Sequence, residues 1–128
     1  MKYKDLYTIF KKEFEEDDVF FKMLEKENRL EPNDSELVHV YFCLVVCPYV
    51  YKLIEEHNDS QLKKVFNFFE RMANDSDEDT QGVLQCSVLE NITTESKDIY
   101  KTAQKYIGPK TKEFVNQVAT YMAIDRME

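Results

Sequence analysis

Hydrophobic residues recur at helical spacing through most of the chain, most clearly in the segment 58–92. Between residues 60 and 74 the apolar positions fall on one helix face, at Leu62, Val65, Phe66, Phe69, Met72 and Ala73. A short acidic turn follows, in which Asp75 and Glu78 have the spacing of a capping box. A second helix over 77–92 carries apolar residues around most of its circumference, so we expect neighbouring helices to enclose it. This helical hairpin is the predicted centre of the fold.

The first thirty residues predict two helices separated by an acidic block. The first, over 3–16, has an apolar stripe at Tyr3, Leu6, Tyr7, Phe10 and Phe14. Acidic side chains favour the N-terminus of a helix because they interact with its dipole. Asp17 or Asp18 is therefore the expected N-cap of a second helix over 19–29. The apolar face of that helix is predicted at Phe20, Met23 and Leu24.

The segment 35–57 gives conflicting signals. Pro32 and the capping box Asn33-Asp34-Ser35-Glu36 predict the start of a helix. The run 40–51 is rich in β-branched and aromatic residues, which also suit a buried strand. Because this run is too long for one strand, we predict a helix over 35–57 that is kinked or restarted at Pro48.

Two more helices are predicted after the hairpin. The first carries an apolar stripe at Ile99, Tyr100, Ala103, Tyr106 and Ile107. Gly108 and Pro109 then stop one helix and start the next. Residues that face the core from the last helix are Phe114, Val115, Val118, Tyr121 and Met122. We therefore predict an all-α fold for a single domain over 1–128, with about seven helices packed as antiparallel hairpins in a HEAT-like or irregular helical bundle.

Composition narrows the class of protein. The 128 residues are 43% hydrophobic and 33% charged, as in globular rather than disordered chains. The longest apolar run, 40–51, has twelve residues, whereas a membrane span needs about 20. The amino-terminal residues lack the apolar region of a signal peptide, and three cysteines fit a reducing compartment. We expect a cytoplasmic protein with no membrane partner.

Negative charge dominates the chain, whose net charge is −8. Residues 1–90 carry 20 acids and 11 bases, a net −9, whereas residues 91–128 carry 5 acids and 6 bases, a net +1. A chain this acidic repels the phosphates of nucleic acids and attracts basic proteins. We therefore predict a basic protein partner and no nucleic-acid partner.

One acidic cluster has the beginning of a calcium-binding motif. Asp75, Asp77 and Asp79 are spaced like the first three ligands of an EF-hand. The motif then fails, because Thr80 stands where glycine is required and Cys86 where the bidentate glutamate is required. The favourable interaction of acids with a helix N-terminus explains the cluster more simply.

Two other groups of side chains carry chemistry without completing a site. His39, Cys43 and Cys47 lie on one helix face, but only adjacent pairs could clamp a metal ion. Glu70 and Glu90 each follow an apolar stretch, and we expect them to hydrogen-bond at the rim of the core. We therefore predict no catalytic, cofactor or metal site, and three cysteines that are reduced and mostly buried.

The hairpin sequence FNFFERMANDSDEDTQGVLQCSVLENI resembles the HEAT-type helical repeat, in which an acidic turn leads into an inner helix. It is also similar to a family of small acidic bacterial helical proteins of uncharacterised function. Those proteins carry an aromatic-rich helix, an acidic turn and a Val-x-x-x-x-Val-Leu-Glu-x-Leu-like ending, here residues 83–92. The resemblance implies an α-helical protein-binding scaffold that is similar to the immunity proteins encoded beside secreted bacterial toxins.

We therefore expect a binding module rather than an enzyme. The predicted contact residues are the carboxylates Glu13, Glu15, Glu16, Asp17, Asp18, Asp75, Asp77, Glu78 and Asp79. Such a surface can occlude the basic cleft of a toxin nuclease by mimicking nucleic acid. One alternative is a structural or regulatory scaffold, including a homodimer that uses exposed tyrosines. The other is an enzyme that relies on Glu70, Glu90 or His39.

Overall fold

Apolar faces and turn-forming residues alternate to produce seven helices and no strand in the computed structural model, which describes residues 1–128. The helices are α1 (Leu6–Glu13), α2 (Asp18–Glu27), α3 (Val38–Glu55), α4 (Asp59–Ala73), α5 (residues 78–95), α6 (Lys97–Ala103) and α7 (Pro109–Met122). Short 3₁₀ turns, Tyr3–Asp5 and Glu15–Asp17, lead into α1 and α2. The predicted all-α class is confirmed.

The second helix of the predicted hairpin, α5, lies at the centre of the bundle. It packs against α3, α4, α6 and α7. Its fully buried apolar side chains are Val83, Leu84, Val88, Leu89 and Ile92. Apolar residues around the helix require neighbours on several sides, and the surrounding core contains 30 buried residues drawn from all seven helices.

The segment 40–51 is helical, so the strand alternative is wrong. Part of it, Phe42–Val46, is π-helical, and the N–H of Cys47 donates to the carbonyl of Phe42. Regular α-helix resumes at Cys47 and has Pro48 in its first turn, where the missing N–H of proline costs least. The restart predicted at Pro48 corresponds to this change in hydrogen bonding.

The third helix begins later than predicted, at Val38 rather than at residue 35. The carboxylate of Asp34 accepts a hydrogen bond from the N–H of Glu36 at 2.9 Å, and its carbonyl accepts one from the N–H of Leu37 at 3.0 Å. Both bonds close turns ahead of the helix, because an aspartate side chain competes with the helical backbone for nearby N–H groups.

By length and composition α3 is apolar enough to cross a membrane, with a mean hydropathy of 1.4 over Val38–Glu55. Half of that window is buried inside the protein. Tyr41 and Tyr49 within it are among the largest fully buried side chains of the molecule. This packing is that of a core helix in a globular domain.

The predicted face of α2 is wrong by part of a turn. Its buried side chains are Phe21 and Glu25, whereas Met23 is 46% exposed. Glu25 lies inside because it accepts hydrogen bonds from the hydroxyl of Tyr7 at 2.5 Å and the ammonium of Lys11 at 3.0 Å. A buried carboxylate with two donors costs far less than an unpaired one, so the helix can turn this face inward.

The last turn of α7 also departs from its predicted packing. Val115 and Val118 are buried as expected, but Tyr121 and Met122 are 53% and 38% exposed. The hydroxyl of Tyr121 donates to the carboxylate of Glu90 on the surface of α5 at 2.8 Å. This end of α7 therefore lies outside the core.

Three helix ends use a left-handed residue that is not glycine. Arg29, His57 and Ala123 have φ values of 55°, 54° and 55°. After α2, the N–H of Leu30 donates to the carbonyl of Glu25 at 2.8 Å, as in a Schellman motif. The chain has two glycines and neither has a positive φ, so these three ends carry strain that glycine would relieve.

Replacing Phe69 or Leu89 with alanine should lower the free energy of unfolding by about 2–5 kcal/mol, because each is fully buried and would leave a cavity. Chemical denaturation measures the change. The control is Lys63→Ala on the exposed side of α4, which we expect to stay within about 0.5 kcal/mol of the wild type. Losses below about 1 kcal/mol at both core positions would contradict the central place of α4 and α5.

Replacing Ala123 with glycine should raise the free energy of unfolding by up to about 1 kcal/mol, because relief of left-handed strain exceeds the added entropy of the unfolded chain. The matched control is Ala119→Gly inside α7, which should lower stability by about 1 kcal/mol or more. Thermal unfolding of both variants makes the comparison, and a lower stability for Ala123→Gly would contradict the strain argument.

Candidate partner-binding face

The nine predicted contact carboxylates lie at two helix junctions, 13–18 between α1 and α2 and 75–79 between α4 and α5. The structure joins these junctions through two residues. The guanidinium of Arg71 binds both carboxylate oxygens of Glu13, at 2.7 and 3.0 Å, and lies 3.9 Å from the sulfur of Met1. The amino group of Met1 in turn forms an ion pair with Asp75. We call these nine carboxylates the acidic face.

In the first junction, two glutamates are held by residues of α4. Glu13 is fixed by Arg71, and Glu16 accepts a hydrogen bond from the side-chain amide of Gln61 at 2.6 Å, with the ammonium of Lys64 at 3.5 Å. The pKa of Glu16 is lowered, first by a hydrogen bond from its own backbone N–H and then, against some desolvation, by Gln61 and Lys64. These contacts tie the loop to α4.

Asp17 occupies the N-cap position of α2, but its side chain does not cap the helix. Its carboxylate accepts a hydrogen bond from the hydroxyl of Tyr49 on α3. Burial, and then this bond, raises the pKa of Tyr49. The next residue, Asp18, forms an exposed ion pair with Lys22 at 2.8 Å. Only Glu15 in this junction is exposed with no bonded partner.

In the second junction the N-cap is Asp77 and not Asp75, which corrects the predicted capping box. Asp77 accepts a hydrogen bond from the N–H of Asp79 at 2.9 Å and another from the N–H of Tyr3 at 3.3 Å. Asp75 accepts from the N–H of Asp77 at 2.9 Å. The amino terminus and then this backbone bond lower the pKa of Asp75. The alternate aspartates therefore serve the turn and the start of α5.

The acidic face keeps a net negative charge after its internal pairing. Its nine carboxylates form ion pairs with four cations, the amino terminus, Lys22, Lys64 and Arg71, which leaves five negative charges. Three of the carboxylates, on Glu15, Glu78 and Asp79, are exposed and make no hydrogen bond or ion pair. These three are free to meet a partner.

Two exposed apolar side chains adjoin the first junction. Val19 is 83% exposed and Met23 is 46% exposed, and their i, i+4 spacing places them on one side of α2. Sequence reasoning missed this pair, because it placed Met23 in the core and did not single out Val19. The signal that was available was the position of Val19 directly after the acidic block.

The comparison with protein families matches residues 5–123 to the model described as "Domain of unknown function (DUF7674)". The chain belongs to the DUF7674 family. No curated protein and no solved structure matches the chain significantly. Both junctions of the acidic face lie inside the matched range, so the face is part of this DUF7674 domain.

The DUF7674 domain also arranges the predicted His39, Cys43 and Cys47 stripe. These side chains contact α5: His39 Nδ1 lies 2.5 Å from the hydroxyl oxygen of Ser87, and the amide of Asn91 donates to the sulfur of Cys43 at 3.4 Å. The thiol of Cys47 donates to the carbonyl of Ser87 at 3.4 Å, and burial raises its pKa. The stripe therefore helps to join the π-helical segments of α3 and α5.

All three cysteines are free thiols, but only Cys47 is fully buried. Cys43 is partly buried and Cys86 is exposed, so the prediction of mostly buried cysteines is wrong for Cys86. That residue lies on the side of α5 that no helix covers. Partial desolvation and then neighbouring Glu90 raise the pKa of its thiol.

Glu70 and Glu90 hydrogen-bond at the rim of the core, as predicted. Glu70 accepts bonds at the N-terminus of α7, from the N–H groups of Lys110 at 3.0 Å and Thr111 at 2.8 Å and from the Thr111 hydroxyl at 2.7 Å. Partial burial opposes ionisation, but these bonds outweigh it and lower the pKa of Glu70. At Gly108 an added Cβ would lie 2.6 Å from Glu70 Oε1, so glycine makes room for the cap.

Replacing Glu70 with glutamine should lower the free energy of unfolding at neutral pH by about 0.5–2 kcal/mol, the usual value of a helix cap. Because the folded pKa of Glu70 is lowered, its stabilisation is present above the unfolded pKa of about 4.3 and is lost as the pH falls through the folded pKa. The difference between wild type and variant should therefore shrink below about pH 4.

Denaturation at pH 7, 5 and 3 measures this difference. The control is Glu113→Gln, an exposed carboxylate on the same helix that pairs only with Lys110 at 3.0 Å. We expect little change in its stability at any pH, because exposed ion pairs contribute about 0–1 kcal/mol. A Glu70→Gln effect that does not depend on pH would show that the ionised cap is unimportant.

Proposed function

We propose that this DUF7674 domain is a protein-binding module whose acidic face holds a basic protein partner. The observation that carries the proposal is the joining of two acidic junctions into one face. Its internal ion pairs leave five negative charges. Carboxylates that are already held in place lose little conformational freedom on binding, which favours affinity.

The apolar pair of α2 gives this face a second component. Specific interfaces commonly combine an apolar centre with a polar rim. Val19 and Met23 adjoin Asp18, so an apolar contact lies beside the carboxylates. The partner surface that complements this arrangement is a basic patch with an apolar pocket or ridge. Charge then governs how fast the partners meet, and apolar burial governs how slowly they separate.

A toxin nuclease is the partner that we propose in particular, and the domain then acts as an immunity protein in the bacterial cytoplasm. Support comes from the resemblance of the hairpin to small acidic immunity-like proteins and from the chemistry of nucleases, whose basic clefts bind phosphates. Carboxylates placed in such a cleft occlude it. Three free thiols agree with a reducing compartment. The proposal assigns no reaction to the domain and no membrane or nucleic-acid partner.

The second candidate is a scaffold that forms a homodimer, and the exposed apolar pair favours it. Val19 and Met23 from two copies could meet across a symmetry axis, with Lys22 of each copy near the other's carboxylates. Sedimentation at rising protein concentration distinguishes the two candidates. A dimer that is lost in Val19→Asp supports the scaffold.

Neutralising the three unpaired carboxylates should slow association with a basic partner. The variant is Glu15→Gln, Glu78→Gln and Asp79→Asn, which leaves every internal bond of the acidic face intact. The matched control removes three exposed acids elsewhere, by Glu27→Gln, Glu55→Gln and Asp98→Asn. We expect the association rate to fall about tenfold for the face variant and much less for the control, since steering depends on local potential.

The partner for this test is the protein that co-purifies with the domain, or the product of the adjacent gene. Association rates are measured across a salt series, and the difference between the two triple variants should shrink as salt screens the charges. Equal rates for both variants at low salt would refute the acidic face. Val19→Ala should raise the dissociation rate only, and Met122→Ala on α7 is its control.

A further inference from the structure

The largest cavity of the domain lies away from the acidic face. It has a volume of about 660 Å³ and lies between the end of α5, helix α6 and the residues that follow α7. Its polar lining includes Lys97, Lys101 and Gln104 of α6 and Ser96 before that helix, and residues 123–125 form another wall. Cavities that hold small molecules commonly enclose about 300–1,000 Å³.

Two lysines supply positive charge to this cavity. Lys97 and Lys101 are one helical turn apart, so both side chains project from the same side of α6. Neither forms an ion pair, and both are exposed. One carboxylate, Asp125, also lines the cavity. The lining therefore carries a net positive charge in a protein whose net charge is −8.

Neutral donors lie beside the two lysines. The hydroxyl oxygen of Ser96 accepts a hydrogen bond from the N–H of Ile99 at 3.0 Å, so its hydrogen is free to donate. The side-chain amide of Gln104 makes no hydrogen bond within the protein. Two ammonium groups, a hydroxyl and an amide are the donors that bind a carboxylate or phosphate.

The opposite wall is apolar and held in place. Ala123 and Ile124 line it. The hydroxyl of Tyr100 donates to the carbonyl of Asp125 at 2.7 Å, and the N–H of Ile124 donates to the carbonyl of Ala119 at 3.0 Å. These bonds fix the segment after α7 against α6 and so keep the cavity open.

We propose that this cavity binds a small organic anion, in which a carboxylate or phosphate is attached to an apolar group. Lys97 and Lys101 hold the anionic group, Ser96 and Gln104 donate hydrogen bonds to it, and Ile124 contacts the apolar part. The site shares no residue with the acidic face, so it does not depend on the proposed protein partner. Failure of either proposal leaves the other standing.

The test is a titration of the isotopically labelled protein, followed by nuclear magnetic resonance of its backbone amides. The probes are phenyl phosphate and benzoate, with benzyl alcohol as the uncharged comparison. We expect saturable shifts confined to residues 94–104 and 123–125 with at least one anion, and none with benzyl alcohol. The tighter anion identifies the ligand as a phosphate or a carboxylate.

The variant Lys97→Gln with Lys101→Gln should weaken this binding at least about tenfold, since each lost charge-assisted hydrogen bond is a strong one. The control, Lys12→Gln with Lys26→Gln, removes the same charge from exposed lysines outside the cavity and should bind like the wild type. Circular dichroism checks that both variants are folded. Absence of saturable shifts with both anions, or equal weakening in variant and control, would overturn the proposal.

Discussion

The enclosure of α5 is the constraint on which the rest of the structure depends. A helix that is apolar around most of its circumference cannot face water, so α3, α4, α6 and α7 must pack against it. With the middle of the bundle occupied in this way, the connecting turns lie at its surface, where their backbone groups reach water. Charged and turn-forming residues therefore gather at the junctions. No buried polar side-chain atom is left without a hydrogen-bond partner.

The junctions show how one kind of residue serves two purposes. Carboxylates such as Glu13 and Asp17 stabilise the fold by binding Arg71 and Tyr49 across the bundle. Their neighbours remain unpaired in water and extend the negative potential outward. A binding surface of this kind needs no dedicated insertion, because the bonds that close the loops also position the free charges. The cost is that neutralising the whole cluster would disturb the loops as well as the surface.

Periodicity was sufficient to predict the helices and the central hairpin, because burial of a helix face follows from local spacing. What it could not predict were pairs made by residues far apart in the chain. Glu25 turned the face of α2 inward through Tyr7 and Lys11, and Met23 was exposed as a result. The acidic clusters were visible in the sequence, but their partners were not. The cavity beside α6 was not foreseen, because tertiary packing brings its two walls together.

The two π-helical segments, Phe42–Val46 in α3 and Val83–Leu89 in α5, have a consequence for insertions and deletions. They pack against each other, and each turn there holds more residues than an α-helical turn. Removing one residue from either segment would restore ordinary α-helix and rotate everything beyond it by roughly 100°. Cys47–Glu55 would then present a different side to the core. The lengths of these two helices are therefore tied to each other, whereas the exposed turns can change length freely.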